Sequence, residues 1–249
     1  MADADIMLRI KRKDAENTAF YWEEFNIPFR KNMNVISALM EIQKNPVNVQ
    51  GEKVRSVVWE YNCLEEVCGA CSMKINGKVR QACSTLVDRL EQPIVLEPME
   101  TFPVEKDLVV NRERMFSALK KIKGWIPIDG TYAMGAGPLI TSEDQQEAYK
   151  YSTCMTCGCC LEACPNVNSG SPFIGPQALG QTKYFNMHPT GAQQKNHRLE
   201  VVISEEGIAN CGNSQNCVQV CPKEIPLTTA IAELNKDANR YALRSWLNR

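Results

Sequence analysis

The feature that most constrains this chain is the run Cys154-Met-Thr-Cys157-Gly-Cys-Cys160-Leu-Glu-Ala-Cys164-Pro165. Cys154, Cys157, Cys160 and Cys164 stand at gaps of two, two and three residues ahead of a proline, the bacterial spacing for iron-sulfur ligation. Three thiolates this close, held in a tight turn, take three irons of one cubane, and the fourth reaches toward a second cluster. The run therefore demands a partner. Cys211, Cys217 and Cys221, followed by Pro222, supply it, with Ser214 where the first run carries Cys157. One run is complete and its echo lacks one thiolate.

Twelve cysteines in a short secreted chain would be a disulfide framework, but reducing cytosol keeps thiols free and turns them to metal. Zinc also uses cysteine pairs two apart. The four-cysteine run ending in Cys-Pro, with its imperfect echo, favours iron-sulfur over zinc. With 249 residues the chain suits two domains at roughly 100 to 200 residues each. A formal net charge of −1 gives no basic field for nucleic acid. No stretch approaches the roughly 20 apolar residues of a membrane span. The start, Met1 to Met7, lacks a basic region followed by an apolar core, so a cytoplasmic protein is expected.

Along the chain, residues 6 to 11 and 18 to 29 mix apolar and charged residues as a hairpin of half-buried strands would. Asn34 is placed to cap a helix carrying Val35, Ile36, Leu39 and Ile42, stopped by Pro46. Val57 to Trp59 reads as a strand. Asn76-Gly77 is a two-residue hairpin signal between Met73–Ile75 and Lys78–Arg80, and Ile94 to Leu96 is a further strand. Within this part Cys63, Cys68, Cys71 and Cys83 stand at gaps of four, two and eleven; the first two gaps are those of a plant-type 2Fe-2S site. Gly69 and Ala70 are small enough to let backbone amides approach the sulfurs.

Pro98 and Pro103 mark a change of texture, so residues 1–105 form one expected domain and residues 106–249 a second, mostly helical one. In the second, Asn111 caps a helix with Met115, Leu119 and Ile122 on one face, ending at Gly124. Residues 125–140 read as a connecting loop. Ser142 with Gln145 forms a capping box for a helix reaching Tyr151. Pro176 and Pro226 open two more helices, the last with Leu227, Ile231 and Leu234 on one stripe.

Reciprocal ligation between the runs gives Cys154, Cys157, Cys160 and Cys221 to a 4Fe-4S cluster, and Cys164, Cys211 and Cys217 to a site with only three thiolates, hence 3Fe-4S. Cys159 fits no ligand position and reads as a small buried residue. His188 and His197 are too few and too scattered to argue for ligation.

The residues around the first cysteines resemble the β-grasp fold of plant-type ferredoxins. A 2Fe-2S domain ahead of a helical, bacterial-ferredoxin-like domain, overall α+β, resembles the iron-sulfur subunits of succinate dehydrogenase and fumarate reductase. Cys-Gly-Ala-Cys at 68–71, Cys-Gly-Asn-Ser-Gln-Asn-Cys at 211–217 and Cys-Pro-Lys at 221–223 carry the likeness over nearly the whole chain. The resemblance implies an electron-transfer subunit passing electrons from an FAD-containing flavoprotein, which oxidises succinate, through 2Fe-2S, 4Fe-4S and 3Fe-4S clusters to a quinone at a membrane anchor. The chain would lie peripherally on the cytoplasmic face of the membrane, with no catalytic acid or base of its own. It allows haem b in the anchor. Members that reduce ubiquinone carry a tryptophan after Cys-Pro and a histidine after the first cysteine of the second run. Here Asn166-Val167-Asn168-Ser169 and Gly212 stand there, so Pro165 alone is carried over as quinone-proximal, and menaquinone is favoured. Fumarate reduction in the reverse direction and a free-standing multi-cluster ferredoxin are the alternatives.

Overall fold

The structure is a computed structural model and describes residues 5–15, 18–127 and 137–247. Packing divides the chain into two compact units, Met1–Arg112 with Met155–Glu162, and Glu113–Cys154 with Ala163–Arg249.

The first unit is built on a five-stranded mixed sheet of order β2-β1-β5-β3-β4. Its strands are β1 (Ile6–Arg12), β2 (Tyr21–Ile27), β3 (Ser72–Ile75), β4 (Lys78–Gln81) and β5 (Ile94–Glu97). β1 runs parallel to β5 and antiparallel to β2, with Ile6 opposite Ile27 and Arg12 opposite Tyr21. In β1, Ile6, Leu8, Ile10 and Arg12 alternate inward while the residues between them stay more exposed, as a strand with one covered face requires. Helix α1 (Val35–Lys44) supplies the cover. Its buried stripe of Val35, Ile36, Leu39 and Ile42 joins Leu8, Ile10, Ile75 and Leu96 in one core. The Asn34 side chain accepts from the Ser37 N–H at 2.8 Å, so the cap expected from sequence forms. Asn76-Gly77 turns β3 into β4, with both residues at positive φ, 49° and 74°. A mixed sheet with one helix across it is the β-grasp arrangement.

Val57 to Trp59 is not a strand. The Val58 N–H donates to the Asp107 carboxylate at 2.9 Å and the Val58 carbonyl accepts from Leu108 at 3.1 Å. The segment thus satisfies its polar groups without a ladder. Asp107 is fully buried at the turn of a small hairpin, β6 (Val104–Lys106) and β7 (Val109–Val110). Arg12, Arg55 and the Lys13 N–H also bind its oxygens, at 2.8–3.3 Å. Burial pushes the Asp107 pKa up, but Arg55 and Arg12 outweigh it and hold the carboxyl below its ordinary range.

The second unit is helical. It holds α2 (Glu113–Lys121), α3 (Ser142–Ser152), α5 (Gly175–Met187), α6 (Lys195–Ile203), the short α7 (Asn216–Gln219) and α8 (Leu227–Leu247), while the short α4 (Cys159–Glu162) belongs to the first unit. α2 starts two residues after Asn111 and closes with the Gly124 N–H on the Leu119 carbonyl, at 2.9 Å; the left-handed residue is Lys123, not the glycine. The α3 cap is Thr141, one residue before the expected Ser142, because its hydroxyl reaches the Asp144 N–H. The loop expected over 125–140 lies partly outside the described residues. Pro176 falls in the first turn of α5, and α8 follows Pro226 with Leu227, Ala230, Leu234 and Ala238 buried. Arg198, fully buried, donates to the carbonyls of Ile122, Lys123, Trp125 and Gly191, tying the end of α2 to α6. Among the described residues no helix is long and apolar enough to cross a membrane.

Candidate metal centres

All twelve cysteines are free thiols. Among the described residues no three side chains of His, Cys, Asp or Glu gather on a single point as one metal ion requires.

Between Cys63 and Cys71 the backbone coils through left-handed residues Leu64, Glu66 and Gly69, at φ 62°, 55° and 73°. That winding turns N–H groups inward as an anion-binding nest does. Glu65, Val67 and Cys68 donate to the Cys63 sulfur at 3.3–3.4 Å, and Ala70 donates to Cys68 at 3.5 Å. The Glu65 and Val67 amides pull the Cys63 pKa down to about 7. Cys71 is pushed up to about 12 by burial, against the amides of Cys83 and Ala82, and the Cys83 thiol stands beside it. The Asn34 side chain holds the Cys83 carbonyl at 2.8 Å. Sulfurs met by several backbone donors are what an iron-sulfur cluster asks of its loop, so these residues fit a 2Fe-2S group.

Gly69 does a second job. A Cβ there would lie 2.8 Å from the Cys157 backbone and 2.9 Å from the Met155 carbonyl. Only a glycine lets the two cysteine loops of the first unit touch. Arg112, which sequence reasoning passed over, donates to the Ala70 carbonyl at 2.6 Å and pairs with Glu60. Its Nε is buried with no partner, and its charge helps to lower the Cys157 pKa.

The complete run and its echo share one local backbone. Cys157 is flanked by Thr156 and Gly158 at φ 51° and 89°, and Ser214 by Asn213 and Gln215 at φ 53° and 61°. Each turn feeds a one-turn helix, α4 or α7, whose second residue is a cysteine, Cys160 or Cys217. Cys157 is lowered to about 7, chiefly by the Cys159 thiol and N–H, while Cys159 itself is held well up by that contact and by burial. Cys154 lies half-buried just past α3, and Cys221 half-buried just past α7.

In the second unit Cys164, Cys211 and Cys217 lie within electrostatic reach of one another. Burial pushes Cys217 up to about 11, and the charges of Cys164 and Cys211 add to it; Cys164 is raised by burial and by Cys211. The Asn216 side chain donates to the Ala163 carbonyl at 2.9 Å, a bond within the second unit. Pro165 is exposed, and the following Asn166 reaches Gly212, where a Cβ would lie 3.0 Å from its side-chain oxygen. His188 accepts from the Thr190 and Gly191 amides, and His197 bonds the Lys121 carbonyl. Both histidines serve turns and helix ends.

Comparisons with known proteins identify the family and the fold. A family model described as a 2Fe-2S iron-sulfur cluster binding domain matches residues 7–117, and one described as a 4Fe-4S dicluster domain matches residues 150–225. The chain is 62% identical over 237 residues to the succinate dehydrogenase iron-sulfur subunit of Bacillus subtilis, covering 95% of this chain and 94% of that one. It is 28% identical over 220 residues to a fumarate reductase iron-sulfur subunit of Escherichia coli, covering 88% and 85%. A chain of the Mycobacterium smegmatis Sdh1 complex shares the fold, with a TM-score of 0.81 at 23% identity and 98% of both chains covered.

Proposed function

Because the chain belongs to the iron-sulfur subunits of succinate dehydrogenase and fumarate reductase, we propose that it carries electrons from a flavoprotein that oxidises succinate to a quinone at a membrane anchor. The observation that carries the direction is the 62% identity to a succinate dehydrogenase subunit, against 28% to a fumarate reductase subunit. The chain works as one subunit of an enzyme complex, beside a flavoprotein and membrane subunits, and the dicarboxylate chemistry lies on another subunit.

Residues 1–105 hold the 2Fe-2S group and residues 106–249 carry the other two ligand runs. We assign Cys63, Cys68, Cys71 and Cys83 to 2Fe-2S, Cys154, Cys157, Cys160 and Cys221 to 4Fe-4S, and Cys164, Cys211 and Cys217 to 3Fe-4S. When bound, these groups supply one-electron carriers. The protein supplies spacing, N–H donors and exclusion of water. The nest around Cys63 and the repeated turn around Cys157 and Ser214 support the assignment.

The 2Fe-2S loop faces the flavoprotein. Tyr61, Leu64 and Val67 in and beside that loop are exposed apolar side chains, the kind a partner covers. Pro165 and Ser214, both exposed, face the anchor at the cytoplasmic side of the membrane. Menaquinone is the acceptor, since no tryptophan follows Pro165 and Gly212 takes the histidine position; haem b in the anchor is compatible with that reading.

The assembled complex decides it. Succinate should reduce a menaquinone analogue faster than a ubiquinone analogue, and the isolated chain should reduce neither. Succinate-driven quinone reduction by the chain alone would refute the subunit reading, and a preference for ubiquinone would refute the choice of quinone.

A further inference from the structure

Arg112 stands between β7 and α2 with its side chain 16% exposed, and none of the cysteine assignments uses it. One of its terminal nitrogens donates to the Ala70 carbonyl at 2.6 Å and pairs with Glu60 at 3.3 Å. Ala70 lies between Cys68 and Cys71, two of the cysteines assigned to 2Fe-2S. Gly69, next to it, is where that loop meets the Cys157 backbone, and the charge of Arg112 is felt at the Cys157 thiol. One guanidinium therefore stands where a 2Fe-2S ligand loop touches a cysteine assigned to 4Fe-4S.

The cation is held there with one donor open. The Arg112 Nε–H is buried and has no partner, and a buried donor left unmatched is costly. Arginine donates at every nitrogen and accepts at none, so what it lacks is an acceptor. Bound to iron, Cys157 is a thiolate, which offers both an acceptor and a counter-charge. Glu60 does not cancel the guanidinium, because its carboxylate is 45% exposed and screened by water.

Resting on the assignment of Cys68 and Cys71 to 2Fe-2S and of Cys157 to 4Fe-4S, we infer that the fixed charge of Arg112 raises the reduction potentials of both centres. Taking up one electron adds one negative charge to a centre and breaks no bond. A cation held beside it and largely out of water stabilises that added charge, so the potential rises. The same side chain also fixes the 2Fe-2S loop through Ala70, so charge and hydrogen bond have to be separated.

The test is a redox titration of the assembled complex, followed by paramagnetic resonance, with Arg112→Gln and Arg112→Lys. Glutamine keeps a donor for the Ala70 carbonyl and removes the charge, whereas lysine keeps the charge and loses the planar fork. Arg112→Gln should shift the reduction equilibria of the 2Fe-2S and 4Fe-4S centres about tenfold toward the oxidised form, about 59 mV lower for a one-electron couple. The 3Fe-4S potential, the internal reference, should not move. Arg112→Lys should recover most of the loss at both centres. Should Arg112→Gln fail to assemble, Arg112→Met, neutral and unbranched, takes its place with the same expected shift. An unchanged potential at either centre in the neutral variant overturns the inference, and so does a lysine variant that titrates like the neutral one. Absence of a 2Fe-2S or 4Fe-4S signal in the unsubstituted complex overturns instead the ligand assignments beneath it.

Discussion

Ser214 differs from Cys157 in its side chain but stands in a turn of the same kind, since both are flanked by left-handed residues and both precede a one-turn helix. A thiol at 214 therefore starts from the kind of turn that Cys157 already uses. Ser214→Cys should recruit a fourth iron and convert the 3Fe-4S centre to 4Fe-4S, with a lower potential. Paramagnetic resonance should show the oxidised 3Fe-4S signal lost. Quinone reduction should fall while succinate oxidation measured with a flavin-level dye persists. An unchanged 3Fe-4S signal would show that 214 is not at the vacant corner. At Gly69 the constraint is space as well as φ. Gly69→Ala forces a methyl to within 2.8 Å of the Cys157 backbone at a φ of 73°, which costs about 1–3 kcal/mol. It should lower the melting temperature and weaken the 2Fe-2S signal, and an unaltered melting curve would refute the close approach.

Helix α1 shows what an element can reveal in advance. Asn34, the apolar spacing and Pro46 all agree, and the helix begins and stops where they say. The cap has a second function that sequence could not show, because its Nδ2 holds the carbonyl of Cys83, 49 residues away. Asn34→Ala should cost about 1 kcal/mol in stability and broaden the 2Fe-2S resonance, and a purely thermal effect would show that the cap does not hold the cysteine. The cysteine spacings stand out in the sequence for a related reason, since the ligation proposed for them asks for short sequence distances. Arg112 does not. It looks like an ordinary polar residue just ahead of a helix, and its role comes from contact with a loop brought in from far along the chain, 42 residues away at Ala70. Val57 to Trp59 misled for the opposite reason. Its composition suits a strand, but a strand needs a neighbour, and Asp107 took its N–H instead.

At the scale of the whole molecule, the first unit is pinned by a buried ion network centred on Asp107, with Arg12 fully buried beside it. Asp107→Asn leaves two guanidinium groups short of their counter-charge and should cost about 3–5 kcal/mol, read as a lower unfolding midpoint. The folded carboxyl is held below its ordinary value. Its contribution is therefore fully present above the unfolded-chain pKa of about 4 and is lost as pH falls through the lower folded value. In Asp107→Asn this acid-side loss should shrink, and an identical pH profile would place the carboxyl's contribution elsewhere. The central claim remains that one chain holds three different clusters from two ligand runs and one loop. Iron and sulfide analysis of the anaerobic complex, with paramagnetic resonance in oxidised and reduced states, tests it most directly. The expected result is about nine irons per chain with distinct 2Fe-2S, 3Fe-4S and 4Fe-4S signals. Zinc in place of iron, or two 4Fe-4S centres with no 3Fe-4S signal, would contradict it.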